Sequence, residues 1–543
     1  MLLRKLIFFI LIVNSGLFAQ KFTKADTLRG TYNNNRKWWD LLHYQLNINV
    51  DIENKFISGR NAISFKTLGA GNIMQIDLQK PMQIDSAFYN KNKCTWKHIE
   101  NAWLINLGTN IEAGKWDSLI IYYSGKPKAA AYAPWDGGLS WAKDEKNRQW
   151  IGVSCQGLGA SVWWPNKDHL SDEPNDGVKI SVTIPDTLVN ISNGTLLAAT
   201  KNNNGTTTWT YKVKNPINNY DVTMNIGNYI IVSDTFLGKS GILNIEYAML
   251  DYNRGKIETH LMGDTKKMLR CFEHWFGPYP FYKDGYRLVE TSYLGMEHQS
   301  AISYGNKFKK GYLGRDRSLT GIGMLWDFIV VHESGHEWFG NNITVKDIAD
   351  MWIHEGFTTY SEVLFIEYHY NKDSANKYLK GLRKNILNDK PLIGSYGVNN
   401  ESGRDIYDKG ANMVHNIRQI MDNDSLFRQM LLGIQSEFAK KTITTKDIEL
   451  YMIKFSGKDL KFIFNQYLRS TDVPDFDYSF KDGKLSYRWK NCAKTFNMPL
   501  RVFVDGKALW LKPTTTLQTV EIPKNTKLVL PDDNFYIKAK SLN

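Results

Sequence analysis

Cysteine is scarce in this chain, with four residues in 543. Cys94, Cys155, Cys271 and Cys492 stand far apart without a CxxC pair, a spacing that neither demands a disulfide framework nor offers a thiolate metal site. There is no low-complexity tract and no internal repeat, which argues against a repeat array. Past the first twenty residues no apolar run reaches the ~18 residues of a bilayer-spanning helix. The positive charge is also not concentrated. The formal net charge is +13, or +11 without Arg4 and Lys5, and the basic residues are scattered, with only pairs such as Lys266-Lys267 and Lys440-Lys441. A nucleic-acid groove needs a clustered stripe, so this excess reads as solvated surface.

The N-terminus is a separate matter. Arg4 and Lys5 precede the apolar run Leu6 to Val13, and Ser15-Gly16-Leu17-Phe18-Ala19 supplies small residues near a cleavage point. This is the pattern of a secretory leader over residues 1–20, and its apolar run is too short to span a bilayer. No cysteine follows the cleavage region to carry a lipid. The expected product is exported, to the periplasm or the cell exterior, with no transmembrane segment after cleavage.

At this length the chain exceeds a single core, so about three domains are expected. From residue 40 to 235 short runs alternate apolar and polar residues, as in His43 to Ile52, Asn61 to Phe65 after a break at Gly59, Val178 to Ile184 and Tyr220 to Ile226. Such runs predict a large antiparallel β saddle or sandwich. Eleven of the seventeen tryptophans lie before residue 236, where they pack a core or, less economically, form a glycan platform. From about 236 the period becomes helical, with Arg254 to Phe276 stopped by Gly277-Pro278. Strands are expected over 286–304, a helix over 352–370 and further helices to about 470. After Asp472-Val473-Pro474 strand patterns return in Lys484 to Trp489, Leu500 to Val504 and Lys527 to Leu530, with turns at Asp482-Gly483 and Asp505-Gly506. The fold class is therefore multidomain α+β. It comprises an N-terminal antiparallel β saddle or sandwich (21–235), a mainly helical domain (236–472) and a small C-terminal β-sandwich (473–543).

The chemistry concentrates in His332-Glu333-Ser334-Gly335-His336 and Glu355. Helix positions four apart lie one turn above each other, so both imidazoles can aim at one point about 2 Å away, the zinc–nitrogen distance. Glu333 flanks that point without having to be a ligand, and a carboxylate from a following helix, such as Glu355, completes three ligands. The bland alternative is two surface histidines on an ordinary amphipathic helix. Against it, the run Gly323 to Val331 is apolar nearly all round and predicts a buried helix, where polar residues need a reason.

Flanking residues resemble the gluzincin aminopeptidases, the family of alanyl aminopeptidase and the leukotriene hydrolases. The likeness lies in His332 to Asn341, in Trp352-Ile353-His354-Glu355-Gly356-Phe357 to Glu362, and in Tyr407-Asp408-Lys409-Gly410-Ala411. It extends upstream to Trp163-Trp164-Pro165, Asp172-Glu173-Pro174, Ile191 to Gly194 and Asn215 to Ile217. The resemblance implies a thermolysin-like catalytic domain behind the saddle, in a form ending before the helical solenoid that many members carry. It implies one zinc ion on His332, His336 and Glu355, with Glu333 as general base and Tyr407 as donor to the oxyanion. It also implies peptide substrates with a free N-terminus, whose ammonium is received by Glu297 in the strand Gly295-Met296-Glu297 and by Gln156.

Two departures stand out: Leu294 replaces the family's first glycine in that strand and His298 its asparagine. His298 is also a weaker alternative metal ligand. Glu337 and Glu362 are candidates for orienting the ligands. The rival functions are a thermolysin-like endopeptidase, an epoxide hydrolase, and a catalytically silent binder of glycans or peptides.

Overall fold

A computed structural model describes residues 22–542, so the expected leader at 1–20 lies outside the described residues. The longest sheet has eight strands, in the order Thr195–Lys201, Thr206–Val213, Val178–Pro185, Trp39–Asp51, Phe56–Thr67, Trp116–Gly125, Gln83–Tyr89 and Asn92–Lys93. Alternation explains the central strand: Leu46, Ile48 and Val50 are buried while Asn47 and Asn49 point to the other face. The sheet is antiparallel except for one pairing, Trp39–Asp51 beside Val178–Pro185, which runs parallel from Tyr44↔Val178 to Asn49↔Thr183. Two smaller sheets, of four and three strands, complete this half.

Two local expectations need correction. Gly59 does not break a strand. It sits inside Phe56–Thr67, where a Cβ would lie 2.6 Å from the Asn47 carbonyl oxygen and 2.8 Å from the Tyr123 ring. Close packing, not a turn, accounts for it. Residues 220–226 are not one strand either: a 3₁₀ turn, Asn219–Asp221, precedes the strand Met224–Gly227. The turn leaves the buried Tyr220 hydroxyl on Glu297.

Trp39, Trp163 and Trp164 are fully buried, as core packing requires, whereas Trp135 is 71% exposed. A second, five-stranded sheet runs Tyr229–Gly238, Gly241–Leu250, Tyr286–Glu290, Ile302–Tyr304, Gly295–Met296. A division at 235/236 cuts its first strand, because the hairpin pairs continuously from Tyr229↔Leu250 to Gly238↔Gly241. The strand period there continues across the position where the helical pattern was expected to begin.

Against this sheet pack the helices Met262–Phe276 and Phe328–Gly335, and on these in turn Trp352–His369, which carries Asp408–Met421 beside it. The first stops at Gly277, with φ 97°. The buried helix begins at Phe328 rather than Gly323. Ile322–Leu325 form a 3₁₀ turn, Trp326 is extended, and the Asp327 carboxylate accepts from the Ile329 and Val330 amides. Hydrophobicity alone concealed this N-cap. The expected helical run to 470 is interrupted by the irregular segment 386–403 and by Lys441–Ile443, which pairs parallel with Ile343–Val345. The C-terminal part stacks a four-stranded and a three-stranded sheet over Phe476, Trp489, Leu500 and Val502. Their core is continuous with that of the helices. Among the described residues the four cysteines are free, and no helix is long and apolar enough to cross a membrane.

Candidate active site

His332 and His336 close the helix Phe328–Gly335, and Glu355 lies in the first turn of Trp352–His369, which packs against it. Both imidazole Nε2 atoms face one carboxylate oxygen: Glu355 Oε2 lies 3.7 Å from that of His332 and 3.4 Å from that of His336. The other ring nitrogens are already engaged. His332 Nδ1 is 2.7 Å from Glu362 Oε1, and His336 Nδ1 is 3.1 Å from the Phe339 carbonyl oxygen. Glu362 reaches His332 because seven residues after Glu355 is two turns along the same helix face. The carbonyl of Phe339 turns back because the chain kinks at Phe339–Gly340.

All three groups are buried, and Glu355 Oε2 has no hydrogen-bond partner. A buried carboxylate oxygen facing two ring nitrogens whose far sides are tied down is a set of donors awaiting a cation. Two nitrogens and one carboxylate fit zinc among the divalent ions. Glu297 and Glu333 also fall within ligand distance of His336. That group shares His336, whose Nδ1 is occupied, so the donors define one metal position rather than two.

Glu333 is buried beside the triad, and burial pushes its carboxyl up to about 7 against the opposing pull of His332 and His336. Glu297 accepts from Gln156 Nε2 at 2.5 Å and from the Tyr220 hydroxyl at 3.2 Å. Burial holds it above the usual carboxylate range; His336 opposes this and Glu355 adds to it. Gln156 Nε2 also lies 3.5 Å from Glu355 Oε1, so this amide bridges Glu297 to the triad. Tyr407 precedes the helix Asp408–Met421 and lays its ring near that of His332, with centroids 6.0 Å apart. Its phenol is kept neutral by burial, with Glu355 and Glu401 adding to the effect.

One cavity of about 610 Å³ gathers Gln156, Gly295, Met296, Glu297, His332, Glu333, His336, Glu355 and Tyr407. All nine residues singled out in the sequence therefore meet in one place. His298 does not join them: its Nδ1 is 3.1 Å from the Ser303 hydroxyl, its Nε2 has no partner, and burial lowers its pKa to about 3. Of the two candidate orienting acids only Glu362 touches a ligand. Glu337 instead accepts from the Tyr279 hydroxyl and the Ser300 amide, at 2.8 and 2.9 Å.

The cavity has further walls that the sequence reading missed: Trp135, Arg317, Glu401, Arg404 and Asp408. Asp408 follows Tyr407 in its motif, and Arg317 donates to it at 3.2 Å, so a signal existed there. Glu401 lies in an irregular segment with no periodicity to mark it.

Residues 261–467 match the family described as "Peptidase family M1 domain". Among curated proteins, Aminopeptidase M1 of Arabidopsis thaliana is 23% identical over 351 residues, covering 62% of this chain and 38% of that protein. Aminopeptidase B of Rattus norvegicus is 24% identical over 307 residues, covering 51% of this chain and 44% of that one. The matched region thus spans less than half the length of either relative. Among solved structures, an M1 zinc metallopeptidase from Deinococcus radiodurans is 21% identical with a TM-score of 0.67, covering 80% of this chain and 95% of that one. A mutant of the Deinococcus enzyme, 20% identical with the same TM-score and coverage, was solved bound to a Tyr-Ser-Ala substrate. These structures share the fold.

Proposed function

We propose that this chain, which carries a peptidase family M1 domain, is a zinc aminopeptidase that removes the first residue from peptides with a free N-terminus. One observation carries the reading. A buried carboxylate, Glu297, stands in the same cavity as the His332–His336–Glu355 triad and Glu333. Besides its general base, an endopeptidase has no use for a second carboxylate beside its metal; an aminopeptidase needs one, because a buried ammonium is costly unless paired.

His332, His336 and Glu355 would hold a single zinc ion, which supplies Lewis acidity and brings the pKa of water down towards about 7. Glu297 and Gln156 bind the α-ammonium. Since Gln156 donates to Glu297 Oε1, its own carbonyl oxygen and Glu297 Oε2 are left to accept from the substrate. Glu333 takes a proton from the attacking water and passes it to the departing amine, help worth roughly 10²–10⁴-fold. The Tyr407 phenol, neutral at working pH, donates to the oxyanion as it forms. The leader pattern at residues 1–20 supports export, so this chemistry takes place in the periplasm or outside the cell.

The test is turnover of a panel of aminoacyl-amides and their N-acetylated counterparts, with and without a chelator, together with metal analysis. Free substrates should be cleaved, acetylated ones should not, and activity should follow one zinc per chain. Equal cleavage of both sets would overturn the aminopeptidase reading in favour of an endopeptidase.

A further inference from the structure

The first helix among the described residues does not pack into any sheet as a strand partner. Lys24–Gly30 form a helix capped by Thr23, whose side chain and that of Asp26 satisfy each other's backbone amides. The helix lies across two chain segments: the 156–158 turn, whose Gln156 and Gly157 line the active-site cavity, and residues 397–399, just before the cavity-lining Glu401. On one side the Arg29 guanidinium donates to the carbonyls of Gly157 and Leu158, the residues after Gln156. On the other side the Asn399 amide donates to Asp26 O at 3.0 Å and the Thr31 hydroxyl to Gly397 O at 3.0 Å. The two segments meet at one atom: Gly157 O accepts from Arg29 Nη1 at 3.0 Å and from Asn399 Nδ2 at 3.2 Å.

Gly30 makes the seat close. A Cβ there would lie 2.2 Å from the Val398 carbonyl carbon and 2.5 Å from the Asn399 nitrogen. These nearest atoms are all backbone, so no flexible side chain is there to yield. Gln156 and Glu401, each two residues or fewer from a clasped position, both line the cavity.

We propose that Arg29 and Gly30 are positioning residues for the amine end of the cleft. They hold the 156–158 turn and residues 397–399 together, and so keep Gln156 on Glu297 and Glu401 at the cavity wall. This rests on the aminopeptidase reading for its catalytic meaning. The triad and Glu333 sit on helices packed into the core, and the clasp reaches them only through the 3.5 Å contact of Gln156 with Glu355, so binding rather than chemistry should respond.

The test compares wild type with Gly30→Ala, Arg29→Met and Arg29→Lys in the full enzyme. Alanine favours a helix more than glycine does, so Gly30→Ala disturbs the seat without weakening the helix. For both Gly30→Ala and Arg29→Met, KM for aminoacyl-amides should rise about tenfold with kcat and zinc content held, and Arg29→Lys should recover part of the loss. Backbone amides over 395–403 and 154–158 should exchange hydrogen faster in both variants. Unchanged KM, or a fall in kcat alone, overturns the positioning role. Equal exchange overturns the clasp itself, and that measurement stands even where wild type turns over no free aminoacyl-amide, an outcome that sinks the aminopeptidase reading instead.

Discussion

Gly295 presses its bare Cα against the Glu333 carboxylate: a Cβ at that position would lie 2.6 Å from Oε1 and 3.0 Å from Cγ. Glycine lets the strand pass directly over the proposed base, and a Cβ there would push the end of the Glu333 side chain aside. Gly295→Ala should therefore move Glu333 while leaving the triad intact. Expected is a loss of roughly 10–100-fold in kcat, part of the acid–base contribution, with zinc content and KM near wild type. Steady-state kinetics with metal analysis checks this; an alanine variant at full kcat would mean that Glu333 has slack to move, or is not the base.

The two acids flanking the ligands separate cleanly. Glu362 holds His332 Nδ1 and is itself held by the Tyr378 hydroxyl at 2.7 Å, whereas Glu337 contacts neither histidine. Glu362→Gln should weaken zinc binding by about 10–100-fold. Glu337→Gln should leave zinc affinity unchanged and act on stability through Tyr279 and Ser300. Competition against a chelating indicator measures both, and similar losses in the two variants would contradict the geometry.

Much of this site was legible because its signals are local. The spacing of His332 and His336 is one helical turn, and Glu355 and Glu362 are two turns apart. Tyr407 sits in a run of motif residues. The long-range features were not legible. Gly59 resembles a strand break until the Tyr123 ring beside it is seen. The start of the buried helix was set by the Asp327 side chain rather than by hydrophobicity. Arg29 and Gly30 meet residues 157 and 397–399 only through the fold. Spacing reveals what one element does with itself, while packing between elements leaves no period to read.

Tyr407 offers a separate test of the oxyanion role. Its ring lies against His332, and Tyr407→Phe keeps that contact while removing one donor. Loss of a single oxyanion donor costs about 10²–10³ in kcat, so a fall of that size is expected with KM and thermal stability held. A variant within threefold of wild type would place Tyr407 among the packing tyrosines.

Zinc should also stabilise the fold, because it satisfies the partnerless Glu355 Oε2 between two core helices. A ligand at a hundred times its Kd adds about 2.7 kcal/mol. Dialysis against a chelator should lower Tm by several degrees, and zinc should restore it. In Glu355→Ala, which lacks the third ligand, the same zinc addition should shift Tm far less. An equal shift in that variant would place the ion elsewhere.

Glu173, in the Asp-Glu-Pro segment before the parallel strand, gives a pH prediction away from the metal. It is buried, its Oε1 has no hydrogen-bond partner, and burial pushes its carboxyl from 4.5 up to about 7, with Thr344 and Asn218 pulling the other way. The folded protein thus holds this proton more tightly than the unfolded chain does. The stability this contributes is fully present below pH 4.5 and is lost as pH rises through about 7. At ~1.4 kcal/mol per unit the loss approaches about 3 kcal/mol. Glu173→Gln mimics the protonated acid at every pH, so its stability relative to wild type should rise by up to that amount between pH 4.5 and 8. Urea midpoints of the two proteins across this range test it directly: curves that stay parallel would show that Glu173 ionises in the folded state without cost.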